Sequence, residues 1–219
     1  MNVARSLERR LERLLEGALS RVFSGRFHAS EIAGRIAREA DLARFEHAAG
    51  PGTANSYTLV FNPSDIDGDG TDLARSLTSS FAAYAAEAGL RLEGAPIVSI
   101  STDENVTSGQ FHVHPEIVPG PDQAWARLVG DQASLDIARN RAIIGRAEDA
   151  DVIVDIPEVS RRHALIWRSG GTNWIVDLGS SNGTLVDGRR ASKEPLEIST
   201  GTVIQLANTR YRFVKAADA

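Results

Sequence analysis

The chain contains no cysteine, which excludes disulfide frameworks, thiolate zinc sites, iron–sulfur clusters and cysteine nucleophiles. It also has no apolar run near the roughly 18 residues that span a bilayer. Residues 1–17 are charged throughout and lack the apolar core of a signal peptide. The expectation is therefore a soluble, cytoplasmic protein. Neither a Walker loop nor a dinucleotide-binding glycine fingerprint occurs. Lysine is almost absent: of 24 basic residues, all but Lys193 and Lys215 are arginine. A GC-rich genome accounts for that excess, so only arginines at particular positions carry information.

What is present is an ordinary globular composition with an uneven charge layout. The 219 residues are 42% hydrophobic and 24% charged, with a formal net charge of −5, enough to bury one large core or two small ones. Residues 1–44 carry nine arginines against six acids, and residues 45–124 carry two against eleven. Over residues 3–22 Val3, Leu7, Leu11, Leu14, Leu15, Ala18, Leu19 and Val22 repeat at helical spacing. A second helix is expected from Ser30 to Leu42. A strand is expected at Tyr57–Phe61, stopped by Asn62-Pro63, followed by a third helix capped by Asp72 and closed by Gly89. Ile97–Ile100 and Gln110–His114 read as the two strands of a hairpin. The first half, residues 1–115, is thus an α+β domain in the order ααβαββ.

A short Pro/Gly linker is expected over 116–124. Beyond it no helical pattern recurs, and short β-rich runs alternate with turn signals every 8–12 residues or so, as in an all-β sandwich of about a hundred residues. Three polar clusters fall at strand ends within 125–217: Gly145-Arg146, Ser160-Arg-Arg-His163 and Asp177-Leu-Gly-Ser-Ser-Asn-Gly-Thr184. Loops at the end of a rigid sandwich are where binding residues gather. A guanidinium, several hydroxyls, an amide and free backbone N–H groups suit a phosphate with its near-double charge and three acceptor oxygens. Taken singly each cluster has a bland reading, such as a solvated strand end or a local Ser160–His163 hydrogen bond. A hydrolase built from Ser160, His163 and Asp177 competes, but no nucleophile elbow of the Gly-x-Ser-x-Gly kind is expected.

The three clusters, in this order, resemble the forkhead-associated (FHA) domain, a phosphothreonine-reading β-sandwich. The resemblance implies a phosphate contact from Arg146, a hydroxyl donor at Ser160, a further donor at Arg161 and another phosphate-side contact at Ser181. Asn182 would hold the ligand main chain beside the phosphothreonine. Gly145, His163 and Gly183 would shape the site from behind. Ligand preference would be read by loops within 147–159 and 178–183. Arg162 and Arg168 match no such role and read as ordinary outward strand residues.

The first half is similar to the N-terminal domain of bacterial FhaA-like proteins, in its Ser-Gly-Arg-Phe27 stretch, its Glu-Ile-Ala33 helix, its Tyr57-Thr-Leu strand and its Gly109-Gln-Phe111 strand. Together these resemblances imply a non-catalytic adaptor that binds phosphothreonine-containing proteins: a kinase, a pseudokinase or a kinase substrate. Such proteins are associated with serine/threonine kinases and with control of cell-wall synthesis and division. No cofactor, metal, nucleic acid or membrane insertion is expected, though recruitment to membrane-associated partners is compatible with the reading. The alternatives are a nucleic-acid regulator acting through the basic first helix, or a phosphorylation-independent scaffold. Two motifs read as decoys. Asp65-Ile-Asp-Gly-Asp-Gly70 opens like a calcium loop, but its twelfth position is Ser76. His112 and His114 share a strand face without a third ligand in view.

Overall fold

The computed structural model describes residues 22–23, 27–68, 70–120, 123–131 and 133–216. These divide into two compact units. One takes the described residues up to Glu46 with Pro51–Gly120; the other takes His47–Gly50 with the described residues beyond Gly120. The expected first helix falls on residues that lie almost wholly outside the described set.

In the first unit, α1 (Ala29–Leu42) and α2 (Thr71–Glu87) cover a three-stranded sheet of β2 (Ser56–Phe61), β4 (Ile97–Thr102) and β5 (Phe111–Glu116). The α2 face follows the sequence periodicity, with Leu73, Leu77, Phe81, Tyr84 and Ala85 buried. Alternate residues of β2, Tyr57, Leu59 and Phe61, point into the same core. Phe23, Phe27, Phe61 and Phe111 close one end, with ring centroids 4.7–5.7 Å apart.

Three expectations are corrected here. β4 and β5 do not form a hairpin: the sheet order is β4-β2-β5, with β4 parallel and β5 antiparallel to β2. α2 intervenes between β2 and β4, and a helical crossover returns the chain parallel to the strand it left. The order also gains two short strands, β1 (Gly52–Thr53) and β3 (Arg91–Leu92), which pair in parallel. Finally, the N-cap of α2 is Gly70 in the left-handed region (φ 64°), with no side-chain cap, so Asp72 lies inside the helix. Within the 116–124 stretch, the Val118 N–H donates to Asn55 Oδ1 and its carbonyl accepts from Asn55 Nδ2.

Among its described residues the second unit is a sandwich of eleven strands. One sheet has the order β14-β11-β10-β8-β9 and the other β13-β12-β15-β16-β6-β7. The first sheet is built from β8 (Arg141–Gly145), β9 (Val152–Ile153), β10 (Ala164–Ser169), β11 (Thr172–Asp177) and β14 (Leu196–Ile198). The second is built from β6 (Ala126–Val129), β7 (Ser134–Ile137), β12 (Thr184–Val186), β13 (Arg189–Arg190), β15 (Val203–Leu206) and β16 (Thr209–Lys215). Leu128, Ile144, Ile166, Ile175, Ile204, Leu206 and Phe213 are among the side chains buried between the sheets. The register sets the ends of the strands. Gly145 lies opposite Ile153, Ala164 opposite both Ile144 and Asp177, Thr184 opposite Leu206, and Val129 opposite Ser134. Since 178–183 joins the two sheets, Gly130, Asp131 and Ala133 and the turns 146–151, 154–163, 178–183 and 207–208 all lie at one end.

Candidate functional site

At that end the histidine of the Ser-Arg-Arg-His sequence is the centre of a buried frame. His163 is fully buried, its Nδ1 accepts from the Ser160 backbone N–H at 3.0 Å, and its Nε2 lies 3.1 Å from the Gly183 carbonyl. An accepting Nδ1 leaves the ring proton on Nε2, which donates to Gly183. Burial holds the imidazole pKa below its ordinary value, against the opposing pull of the Gly183 carbonyl and Asp177. One neutral ring therefore ties the 160 turn to the 183 turn.

Asp177 organises the other loop. Its Oδ1 accepts from the Gly179 and Ser180 N–H groups, and its Oδ2 from the Ser180 and Thr184 hydroxyls, all at 2.6–2.9 Å. Burial pushes this carboxyl up, but the four hydrogen bonds outweigh it and hold the pKa below the usual carboxylate range. The sequence names Asp177 at the start of the third cluster and in a hydrolase triad, but gives it no part in framing the turn. The signal for its real role is Asp followed by Gly and Ser two and three residues on, the pattern of an Asx-turn.

Two glycines allow these turns to close. A Cβ on Gly145 would fall 2.0 Å from the Arg161 carbonyl oxygen, so β8 meets the 160–161 backbone only where no side chain intervenes. Gly183 has φ +82°, a left-handed conformation, and a Cβ there would come within 2.9 Å of the Arg190 guanidinium. The close approach at Gly145 is fixed by the Arg146 N–H donating to the Ser160 carbonyl and the Ala147 N–H to that of Arg161.

Over this frame lies a cavity of about 620 Å³ lined by Arg146, Ala147, Asp149, Ser160, Arg161, Arg162 and Ser181. It thus brings together four of the five residues expected to bind the ligand. The Ser160 hydroxyl accepts from the Ser181 N–H at 3.0 Å, which leaves its own proton free to donate into the cavity. Among the described residues, the exposed Arg146 and Arg161 guanidiniums have no ion-pair partner. Asn182 is not one of the lining residues; its Nδ2 donates to the Glu158 carbonyl at 2.7 Å, so it holds the 154–160 loop and keeps its Oδ1 for another donor. Arg162 departs from its expected role as an ordinary strand residue. It lines the cavity and pairs with Asp149 at 3.1 Å. Three guanidiniums against one carboxylate leave the lining with an excess of two positive charges.

The hydrolase triad does not form. Both ring nitrogens of His163 are committed to backbone groups, so neither serves Ser160 Oγ or Asp177. Residues 179–183 do spell Gly-x-Ser-x-Gly, but Ser181 sits on a turn between two strands, not on a strand-to-helix elbow. In the first unit, Asp65 is buried and accepts from Ser108 Oγ and the Gly109 N–H, so it ties two loops together. The rings of His112 and His114 are 6.4 Å apart on an exposed face. Among the described residues no group of three or more His, Asp or Glu is placed to hold a metal ion, and no helix is long and apolar enough to cross a membrane.

Comparison with known proteins places this geometry. Residues 142–207 match the FHA domain, and residues 5–114 match the FhaA N-terminal domain. The chain is 33% identical to an oxoglutarate dehydrogenase inhibitor of Corynebacterium jeikeium over 140 residues, 57% of this chain and 94% of that protein. It is 37% identical to the glycogen accumulation regulator GarA of Mycolicibacterium smegmatis over 43% of this chain and 54% of the relative. The chain spans about half the length of several other curated relatives, among them an oxoglutarate dehydrogenase inhibitor of Corynebacterium diphtheriae at 51%. Among solved structures, Mycobacterium tuberculosis EmbR in complex with a low-affinity phosphopeptide is 31% identical, with a TM-score of 0.39 over 42% of this chain and 24% of that one. With a buried histidine and an Asx-turn framing an arginine-lined cavity at one end of a sandwich, and an α+β unit before it, the chain belongs to the FHA-domain proteins that carry an FhaA N-terminal domain.

Proposed function

We propose that the second unit binds phosphothreonine-containing segments of phosphorylated proteins, and that the chain is a non-catalytic adaptor in a bacterial serine/threonine kinase pathway. The observation that carries this reading is the arginine-lined cavity. Its two surplus positive charges match a phosphate monoester dianion. Arg146 and Arg161 supply charge-assisted contacts, the free Ser160 proton and the Ser181 hydroxyl meet phosphate oxygens, and Asn182 Oδ1 accepts from the ligand main chain. Gly145, His163 and Gly183 keep these groups in place without touching the ligand. The partner is a phosphorylated kinase, pseudokinase or kinase substrate. The finer assignment, to control of cell-wall synthesis or division, rests on the family of the first half.

The test is a titration of the full chain with one peptide set in phosphothreonine, phosphoserine and unmodified forms. Binding of the phosphothreonine form alone, on the order of micromolar or about −8 kcal/mol, and its loss in Arg146→Ala, is the expected result. Equal binding of all three forms overturns the reading.

A further inference from the structure

Asn182 and Gly183 carry a reactivity that phosphate binding does not use. They are the one Asn-Gly pair among the chain's eight asparagines. A glycine nitrogen has no Cβ beside it to hinder its attack on the carboxamide carbon of the preceding asparagine. Attack forms a C–N bond and expels ammonia, which carries away the nitrogen's proton. The resulting succinimide then takes up one water and opens as aspartate or isoaspartate. One amide and one water go in, one carboxylate and one ammonium come out, and no catalyst beyond solvent is needed.

The fold restrains both reacting groups. The Gly183 N–H donates to Ser180 Oγ at 3.0 Å, which keeps the proton on the nucleophile. The Gly183 carbonyl accepts from the Ala207 N–H and from His163 Nε2, both at 3.1 Å. Across the pair, the Asn182 carboxamide is tied to the Glu158 carbonyl through Nδ2 at 2.7 Å. Behind them Ser180 Oγ donates to Asp177 Oδ2 at 2.6 Å, which fixes the acceptor of the Gly183 N–H. Gly183 is buried and Asn182 is exposed, so water reaches the side chain while the hydrogen bonds of the turn stand in the way. Ring closure has to swing the carboxamide onto the Gly183 nitrogen. It therefore waits for the 180–183 turn to open, and its rate follows that opening equilibrium.

We propose that Asn182 is a self-acting modification site whose conversion to aspartate or isoaspartate turns the arginine cavity off, and that the Asp177–Ser180 turn and a bound ligand both delay it. The chemistry stands on the turn alone; its consequence rests on the phosphothreonine reading. A carboxylate at 182 has no proton for the Glu158 carbonyl, so the 154–160 loop loses that tie. Its negative charge also stands beside the place of a phosphate dianion. Isoaspartate further adds a methylene to the main chain between 182 and 183. A ligand whose main chain donates to Asn182 Oδ1 pins the carboxamide, so occupied copies age more slowly than empty ones. An adaptor left without a partner thus retires itself.

The experiment incubates the full chain at mildly alkaline pH, alone, in urea, and with a saturating phosphothreonine peptide. Peptide mapping by mass spectrometry follows the replacement of NH₂ by OH at residue 182. The folded chain is expected to convert at least about tenfold more slowly than the unfolded one, as for a turn that is seldom open. Ser180→Ala, which releases the Gly183 N–H, should speed conversion about fivefold, with a melting curve showing that the variant stays folded at the incubation temperature. The peptide should slow conversion, and Asn182→Asp, which needs no incubation, should bind it at least about tenfold more weakly than the parent. Equal rates in the folded and unfolded chain, or in Ser180→Ala and the parent, overturn the protection by the turn. A rate that the saturating peptide leaves unchanged overturns protection by the ligand, and undiminished affinity in Asn182→Asp overturns the switch. Fresh chain that binds phosphorylated and unmodified peptides alike overturns the phosphothreonine reading instead, and the comparison of Ser180→Ala with the parent is unaffected by that result.

Discussion

The cavity end of the sandwich has two layers that differ in what holds them. The lower one, formed by Gly145, His163, Asp177 and Gly183, is largely buried and has its hydrogen bonds satisfied within the protein. The upper one, formed by Arg146, Arg161, Arg162 and Ser181, is exposed and has few partners of its own. The buried layer stores order, and the exposed layer keeps unspent hydrogen-bonding capacity. Substitutions should therefore sort by layer, those below appearing in stability as well as binding and those above in binding alone.

The largest effect is expected in the upper layer. Arg146→Ala should cost about 2–5 kcal/mol of phosphopeptide affinity, because the phosphate loses its paired charge, with an unchanged melting temperature. Calorimetric titration and a thermal melt of the same sample check both halves, and a large loss of stability would erase the distinction between layers. Next comes Gly145→Ala in the lower layer. Its Cβ meets backbone at 2.0 Å, so the second unit should lose about 3 kcal/mol, as for a strained overpacked site, measurable by urea unfolding. Asp177→Ala leaves two backbone amides and two hydroxyls without their acceptor, with an expected loss of about 1–3 kcal/mol.

A pH series sharpens the comparison further. The His163 pKa is depressed by burial in the folded state, so the unfolded chain takes up the proton first. Its contribution is complete above about pH 6.5 and is lost as pH falls below that value toward the folded pKa. His163→Gln should flatten the acid side of the melting curve, and an unchanged slope would remove His163 from the frame. The smallest effect belongs to Arg162→Ala. Its partner Asp149 and it are both more than half exposed, so unfolding should change by about 0–1 kcal/mol at most.

Much of the cavity end is legible in the sequence because its determinants are local. Ser160 and His163 are three residues apart and make their bond within one turn, and the β-rich spacing needs only the alternation of apolar residues. What stays hidden depends on partners distant in sequence. The need for glycine at 145 comes from the approach of Arg161, and the reach of Arg162 to Asp149 is invisible from its neighbours. The β4–β5 misreading has the same origin. Both strands carry ordinary strand patterns, and only the α2 crossover assigns them to opposite edges of β2. The short strands β1, β3 and β13, of two residues each, are too brief for any periodicity and exist only through their pairing.

Asp177 has a kinetic consequence. Its four hydrogen bonds hold the 178–184 turn before any ligand arrives, so capture needs little rearrangement of the loop. Arrival is then limited by encounter, at about 10⁶ per molar per second for an ordinary docking. A micromolar complex formed at that rate lasts about a second. An adaptor with so short a memory would report the current phosphorylation state of its partner and release it soon after a phosphatase or a competing kinase changed that state.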